Sequence, residues 1–156
     1  MRQTWRHLTG RVSTAERAAL ASWLSPDQLA LFEAMHPADQ RHGLDVVAHL
    51  RAAGHDDREL LLAGLFHDAA KGPSVGLWQR IAWSLGERYG AWAWRLAGLL
   101  PGFSDAFERL RDHAERSARF ALAAGCSART AELIRRQAAS DSDRAVEALR
   151  LADQAS

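Results

Sequence analysis

The sequence predicts an all-α fold, a single compact helical bundle, and three observations carry that expectation. Apolar residues recur with helical periodicity along the chain, whereas strand-like alternation over four to eight residues is hard to find. Serine, threonine or aspartate precedes most of these periodic stretches and glycine or proline follows them, which is the start and stop chemistry of helices. The 156 residues suit one core, and no linker, repeat or low-complexity segment divides them.

Residues 1–12 read as an irregular lead-in anchored by apolar side chains such as Trp5. Ser13 or Thr14 caps a first helix through Leu24, with Glu16 placed to answer Ser13 in a capping box. Ser25-Pro26-Asp27 opens a second helix, because serine caps and proline is tolerated in the first turn. It ends at His36-Pro37, since the residue before proline is pushed out of the α region. Residues 1–37 thus form a helical lead-in to the main body, 38–156.

A third helix runs from about Ala38 to Ala53 and is closed by Gly54. Asp56 or Asp57 caps a fourth, Glu59 to about Ala70, which Lys71-Gly72-Pro73 terminates. Ser74 starts a Trp-rich helix to Arg88, Gly90 separates it from another through Leu100, and Pro101-Gly102 breaks the chain. Ser104 or Asp105 caps a long helix to Ala124, stopped by Gly125. Ser127 caps a helix to about Ala139, and the Ser140–Asp143 run caps the last one.

Composition narrows the function classes. Twenty basic residues against 19 acidic ones give a net charge of +1, which argues against an extended nucleic-acid surface. One cysteine, Cys126, excludes an internal disulfide and a multi-cysteine zinc site; with no base partner visible in the sequence it receives no nucleophilic role. No apolar run approaches membrane-spanning length and no signal-peptide pattern opens the chain, so a cytoplasmic protein is expected. Nineteen of the basic residues are arginine, and Lys71 is the single lysine.

The fourth helix is the most informative segment. Leu60–Phe66 is apolar almost all round, the mark of a buried helix, and it runs straight into His67-Asp68. Two ionisable residues at the end of a buried helix must be hydrogen-bonded, paired or bound to a metal. The dipeptide alone carries little, because seven His and 11 Asp give about half a pair by chance, and His55-Asp56 is a second one. His55-Asp56 follows Gly54 at a helix start and reads as a solvated cap. On the third helix His42 and His49 share nearly one face. An antiparallel neighbour presents its beginning to the end of the fourth helix, so His42 reaches His67-Asp68 and His49 is a core-edge or surface residue. Asp153, four residues after Leu149, shares the apolar face of the last helix. It either points inward or is solvated near the terminus.

Arg41-His42-(x3)-Val46, Leu62–Lys71 and Leu151-Ala152-Asp153 together resemble the HD-domain phosphohydrolase superfamily, over roughly residues 38–156. The resemblance implies an HD-like helical core in which His42, His67, Asp68 and Asp153 bind a divalent metal, one per chain. Mn, Fe, Co, Ni or Zn suits that mixed donor set better than Mg. Lys71 stands where the family often has a lysine, for pairing with a phosphate oxygen, and equally suits a helix C-terminus. Asp112-His113-Ala114-(x3)-Ala118-(x6)-Gly125 resembles a stretch of the HD-GYP phosphodiesterases. The later histidine pair of those proteins is replaced here by Arg135-Arg136-Gln137-Ala138, and the Gly-Tyr-Pro signature is missing. One metal is therefore expected, with His113 either an acid or phosphate contact or a helix-surface residue.

The expected activity is hydrolysis of a nucleotide or other small phosphate ester by metal-activated water, with Asp68, Lys71 and His113 as catalytic residues. The alternative is a non-catalytic HD-like module that binds a nucleotide or metal; a third possibility is a helical scaffold or oligomerisation domain. The small phosphorylated substrate is the expected partner, with no membrane and room for a homo-oligomer. Trp78, Trp83, Trp92 and Trp94 pack the core or line a groove, and Arg80 is a surface residue or meets phosphate. Arg109, Arg111, Arg116 and Arg119, interleaved with acidic residues, form a solvated face with local ion pairs.

Overall fold

The computed structural model describes residues 12–71, 113–137 and 143–156, and among these every regular element is a helix. The helices are α1 (Thr14–Ala21), α2 (Pro26–Ala34), α3 (Pro37–Ala52), α4 (Arg58–Phe66), α5 (His113–Ala123), α6 (Ala128–Arg136) and α7 (Arg144–Ala155). The Trp-rich helix after Ser74, the helix through Leu100, the break at Pro101-Gly102, Trp5, Arg80, Arg109 and Arg111 lie outside the described residues. None of the described helices is long and apolar enough to cross a membrane.

Local chemistry starts and stops these helices. Ser13 and Glu16 close a capping box on α1, and Ser25 closes one on α2 with Gln28. His36 does more than end α2: its Nδ1 accepts from the Ala38 amide at 3.2 Å, so it caps α3, which begins at Pro37. Gly54 and Gly125 stand at φ of 85° and 78°, where a side chain would be strained, and so release the chain after α3 and α5. Asp57 rather than Asp56 caps α4, and Asp143 caps α7.

Two helices are shorter than expected, and the expected end of a third at about Ala139 lies outside the described residues. The first ends at Ala21, before a turn through Leu24. The fourth ends at Phe66 instead of Ala70, and here the cause is visible. In a continuous helix the Gly64 carbonyl would accept from the Asp68 amide, but the His67 ring takes it, with Nδ1 at 2.9 Å. Residues 67–71 continue as tight turns, Ala69 to Phe66 and Lys71 to Asp68.

Helix α4 is the centre of the bundle: every residue from Leu60 to Phe66 is buried. It packs against α3, α5, α6 and α7. Each fully buried leucine here contributes about 2 kcal/mol over an exposed one. Two glycines let α3 and α4 approach. A Cβ on Gly43 would stand 2.6 Å from the Leu65 carbonyl oxygen, and one on Gly64 2.9 Å from Leu50 Cδ1. Cys126 is buried, accepts from Gln28 Nε2 at 3.6 Å, and burial pushes its thiol up, away from nucleophilic use.

Arg41 ties α1 to α3, reaching Glu16 at 2.6 Å and Asp45 at 3.0 Å. That bond, with the Ser13 amide, lowers Glu16 from 4.5 to about 2. A depressed carboxyl stabilises the fold above its unfolded value and loses that contribution as pH falls through the folded one. Glu16→Gln is therefore expected to lower stability in urea unfolding at pH 7, by at most about 1 kcal/mol for a partly exposed pair that solvent screens. The gap between variant and parent should close as pH drops from about 4.5 toward 2.

Candidate metal centre

The turn after α4 carries His67 and Asp68 into the interior, with only 1% and 2% of their surfaces exposed. Because a carbonyl only accepts, the His67 Nδ1 facing Gly64 must carry a hydrogen, and Nε2 is left to face the site. Helix α3 lies against α4 where Gly43 permits close contact, and His42, the preceding residue, enters the same space. The two rings meet edge to face with centroids 5.0 Å apart. Helix α7 brings Asp153, whose Oδ1 lies 2.8 Å from His42 Nε2 and 3.3 Å from His67 Nε2.

Asp68 is the hub. Its Oδ2 lies 2.5 Å from Lys71 Nζ, 3.5 Å from His67 Nε2 and 3.8 Å from His42 Nε2. Its Oδ1 faces the other way, 3.6 Å from Nε2 of His113 on α5. His42, His67, Asp68, Lys71, His113 and Asp153 thus stand in one cluster, although they span 111 positions of sequence. His49 stands apart from it: Nδ1 donates to the Asp45 carbonyl at 2.9 Å and lies 3.1 Å from Ser156 Oγ.

The cluster carries an excess of negative charge. With neutral imidazoles, two carboxylates face one ammonium; Asp68 is buried, whereas the Asp153 and Lys71 side chains are partly exposed. Burial by itself raises Asp68, but His67, Lys71, His42 and His113 hold it well below the usual carboxylate range. Burial likewise raises Asp153, and His42 and His67 hold it far down. Burial lowers Lys71 and Asp68 more than offsets it, so the ammonium persists. Burial lowers His67 too, yet Asp68 and Asp153 lift it to about 9, so at neutral pH a proton supplies the missing positive charge.

The residues present fit a divalent metal ion. Among the described residues His67 Nε2 and Asp68 Oδ1 are buried and make no well-formed hydrogen bond; they have only ion-pair contacts, at 3.3 and 3.5 Å for His67 and 3.6 Å for Asp68 Oδ1, an arrangement a bound cation would also satisfy. Ligand atoms of His42, His67 and Asp68 all lie within 4.8 Å of one another, which is compatible with metal binding. Asp153 is outside that group of three, but its Oδ1 contacts both imidazoles, at 2.8 and 3.3 Å.

Sequence reasoning passed over two residues near this cluster. Asp39 is 3% exposed and adds negative charge toward Lys71. It precedes His42 by three positions, and that one-face spacing was its available signal. Ser117, fully buried on α5, accepts from the Ala70 amide. On α5 Arg119 pairs with Glu115, which also meets Arg135 of α6. No protein-family model matches this chain, and no curated protein or solved structure matches it.

Proposed function

We propose that this chain is a metal-dependent phosphohydrolase of the HD-domain type, acting on a nucleotide or another small phosphate ester. One divalent cation would be held by His42, His67, Asp68 and Asp153. The observation that carries the reading is the convergence of the His42, His67 and Asp68 ligand atoms within 4.8 Å of one another, with His67 Nε2 and Asp68 Oδ1 buried and without a well-formed hydrogen bond among the described residues. Two imidazoles and two carboxylates favour Mn, Fe, Co, Ni or Zn over Mg. When bound, such an ion supplies Lewis acidity, lowering the pKa of water and neutralising charge on a phosphoryl group.

The chain's own residues supply the rest. Lys71 places an ammonium at the edge of the cluster, where it pairs with a phosphate oxygen. His113, held 3.6 Å from Asp68 Oδ1, delivers a proton to the leaving oxygen. Asp68 orients both, one oxygen toward Lys71 and the other toward His113.

Turnover of a nucleotide panel with each of the five metals tests this. Product is expected with at least one metal, and inactivity with all of them overturns the enzyme reading. Tight nucleotide binding by calorimetry without product would point instead to a non-catalytic module. Metal uptake has its own pH signature. His67 would have to lose its Nε2 proton to serve as a ligand, so affinity should rise with pH, by up to about tenfold per unit, and level off near 9. Affinity that does not change between pH 6 and 8 would contradict His67 as a ligand.

A further inference from the structure

The turn that carries His67, Asp68 and Lys71 is held mostly by bonds within itself. Ala69 donates to Phe66 at 3.0 Å and Lys71 to Asp68 at 3.0 Å. The Ala70 amide lies between them and is buried. A continuing helix would offer it the Phe66 carbonyl, but Ala69 has taken that acceptor. Ala70 donates instead to Ser117 Oγ at 3.0 Å, across 47 positions of sequence. Among the described residues this is the only hydrogen bond that joins the backbone of 67–71 to another helix.

Ser117 is completely buried and lies one helical turn after His113 on α5. The same face of α5 therefore touches the turn twice, through Ser117 to the Ala70 amide and through His113 toward Asp68 Oδ1. We infer that Ser117 is a positioning residue: its hydroxyl sets the turn against α5 and so aims Asp68 at His113 and His67 into the cluster. Alanine or glycine would leave the buried Ala70 amide unpaired, and the turn would rotate to satisfy it. Alanine packs as well as serine, so packing alone does not explain the hydroxyl.

The test uses the full chain with Ser117→Ala, which removes the acceptor, and Ser117→Thr, which keeps it. Ser117→Cys retains the volume with a weak acceptor and stands in if the alanine variant does not fold. Imidazole NMR signals of His67 and His113 are recorded without metal, and Co²⁺ is then titrated while its visible spectrum is followed. Ser117→Ala is expected to move both ring signals, alter the cobalt band and weaken Co²⁺ binding by about tenfold, with threonine restoring them. The inference is overturned if the Ala70 amide exchanges faster while the ring signals stay unmoved. It is also overturned if alanine and threonine disturb them equally. Only the cobalt arm rests on the metal-centre reading. If the parent binds no Co²⁺, that reading fails, and the ring signals still decide the role of Ser117.

Discussion

His67→Ala is expected to abolish metal binding and to lower hydrolysis by far more than the roughly hundredfold loss that outer partners of a metal site produce. The substitution removes a ligand atom that no neighbour can replace, since His42 already faces Asp153 at 2.8 Å and His113 lies beyond Asp68. It also acts on the metal-free fold. In that state protonated His67 balances Asp68 and Asp153, and alanine leaves a buried carboxylate with Lys71 as its main counter-charge. Breaking a buried charge pair costs about 3–5 kcal/mol, and the lower end applies because Lys71 remains. The pH dependence has a defined sign. His67 rises from 6.5 to about 9 on folding, so its contribution is complete below about 6.5 and is lost as pH climbs through 9. Urea midpoints in chelator should therefore separate parent and variant most at pH 6 and least at pH 9.5. A gap that widens with pH would contradict this account of the metal-free cluster.

Gly43→Ala should have the next largest effect, although it adds a single methyl group. That carbon would stand 2.6 Å from the Leu65 carbonyl oxygen, and backbone cannot rotate aside as a side chain can. Helix α3 must lift from α4, and His42, the adjacent residue, leaves with it. Alanine gains about 1 kcal/mol in helix propensity over glycine, and overpacking costs about 1–3 kcal/mol or more. With a rigid backbone as the obstacle the cost wins, and net destabilisation near 2 kcal/mol is expected. Metal affinity should fall together with stability. Gly64→Ala is the control: its nearest obstacles are Leu50 Cδ1 at 2.9 Å and Val46 Cγ1 at 3.1 Å, both side chains able to move. Urea titration and metal titration of the two variants should rank Gly43→Ala as the more damaging. The reverse order would show that helix approach at Gly43 does not govern the site.

What the sequence discloses about this fold follows from range. The capping box at Ser13, the serine cap at Ser25, the left-handed Gly54 and Gly125, and the all-apolar Leu60–Phe66 are local signals, and they are readable. The early end of α4 is not, because it depends on the His67 ring taking the Gly64 carbonyl in preference to the helix ladder. The third helix could be seen to bring His42 rather than His49 to the His67 end, since antiparallel packing alone decides that. His113 and Asp153 were ambiguous on their own helices, where an ionisable residue suits solvent as well as a site. Only the docking of α5 and α7 around α4 places them at Asp68 and at the two imidazoles. Ser117 gave no sign at all, because a buried hydroxyl in an alanine-rich helix has no sequence pattern of its own.

The metal content of the purified chain, after incubation with Mn, Fe, Co, Ni and Zn and removal of excess, is the most direct test of the central claim. One tightly held divalent cation per chain, absent from His67→Ala under the same treatment, is the expected result. A parent protein that emerges metal-free from every incubation would contradict it, and would leave His67, Asp68 and Asp153 as a proton-balanced ion cluster serving the fold alone.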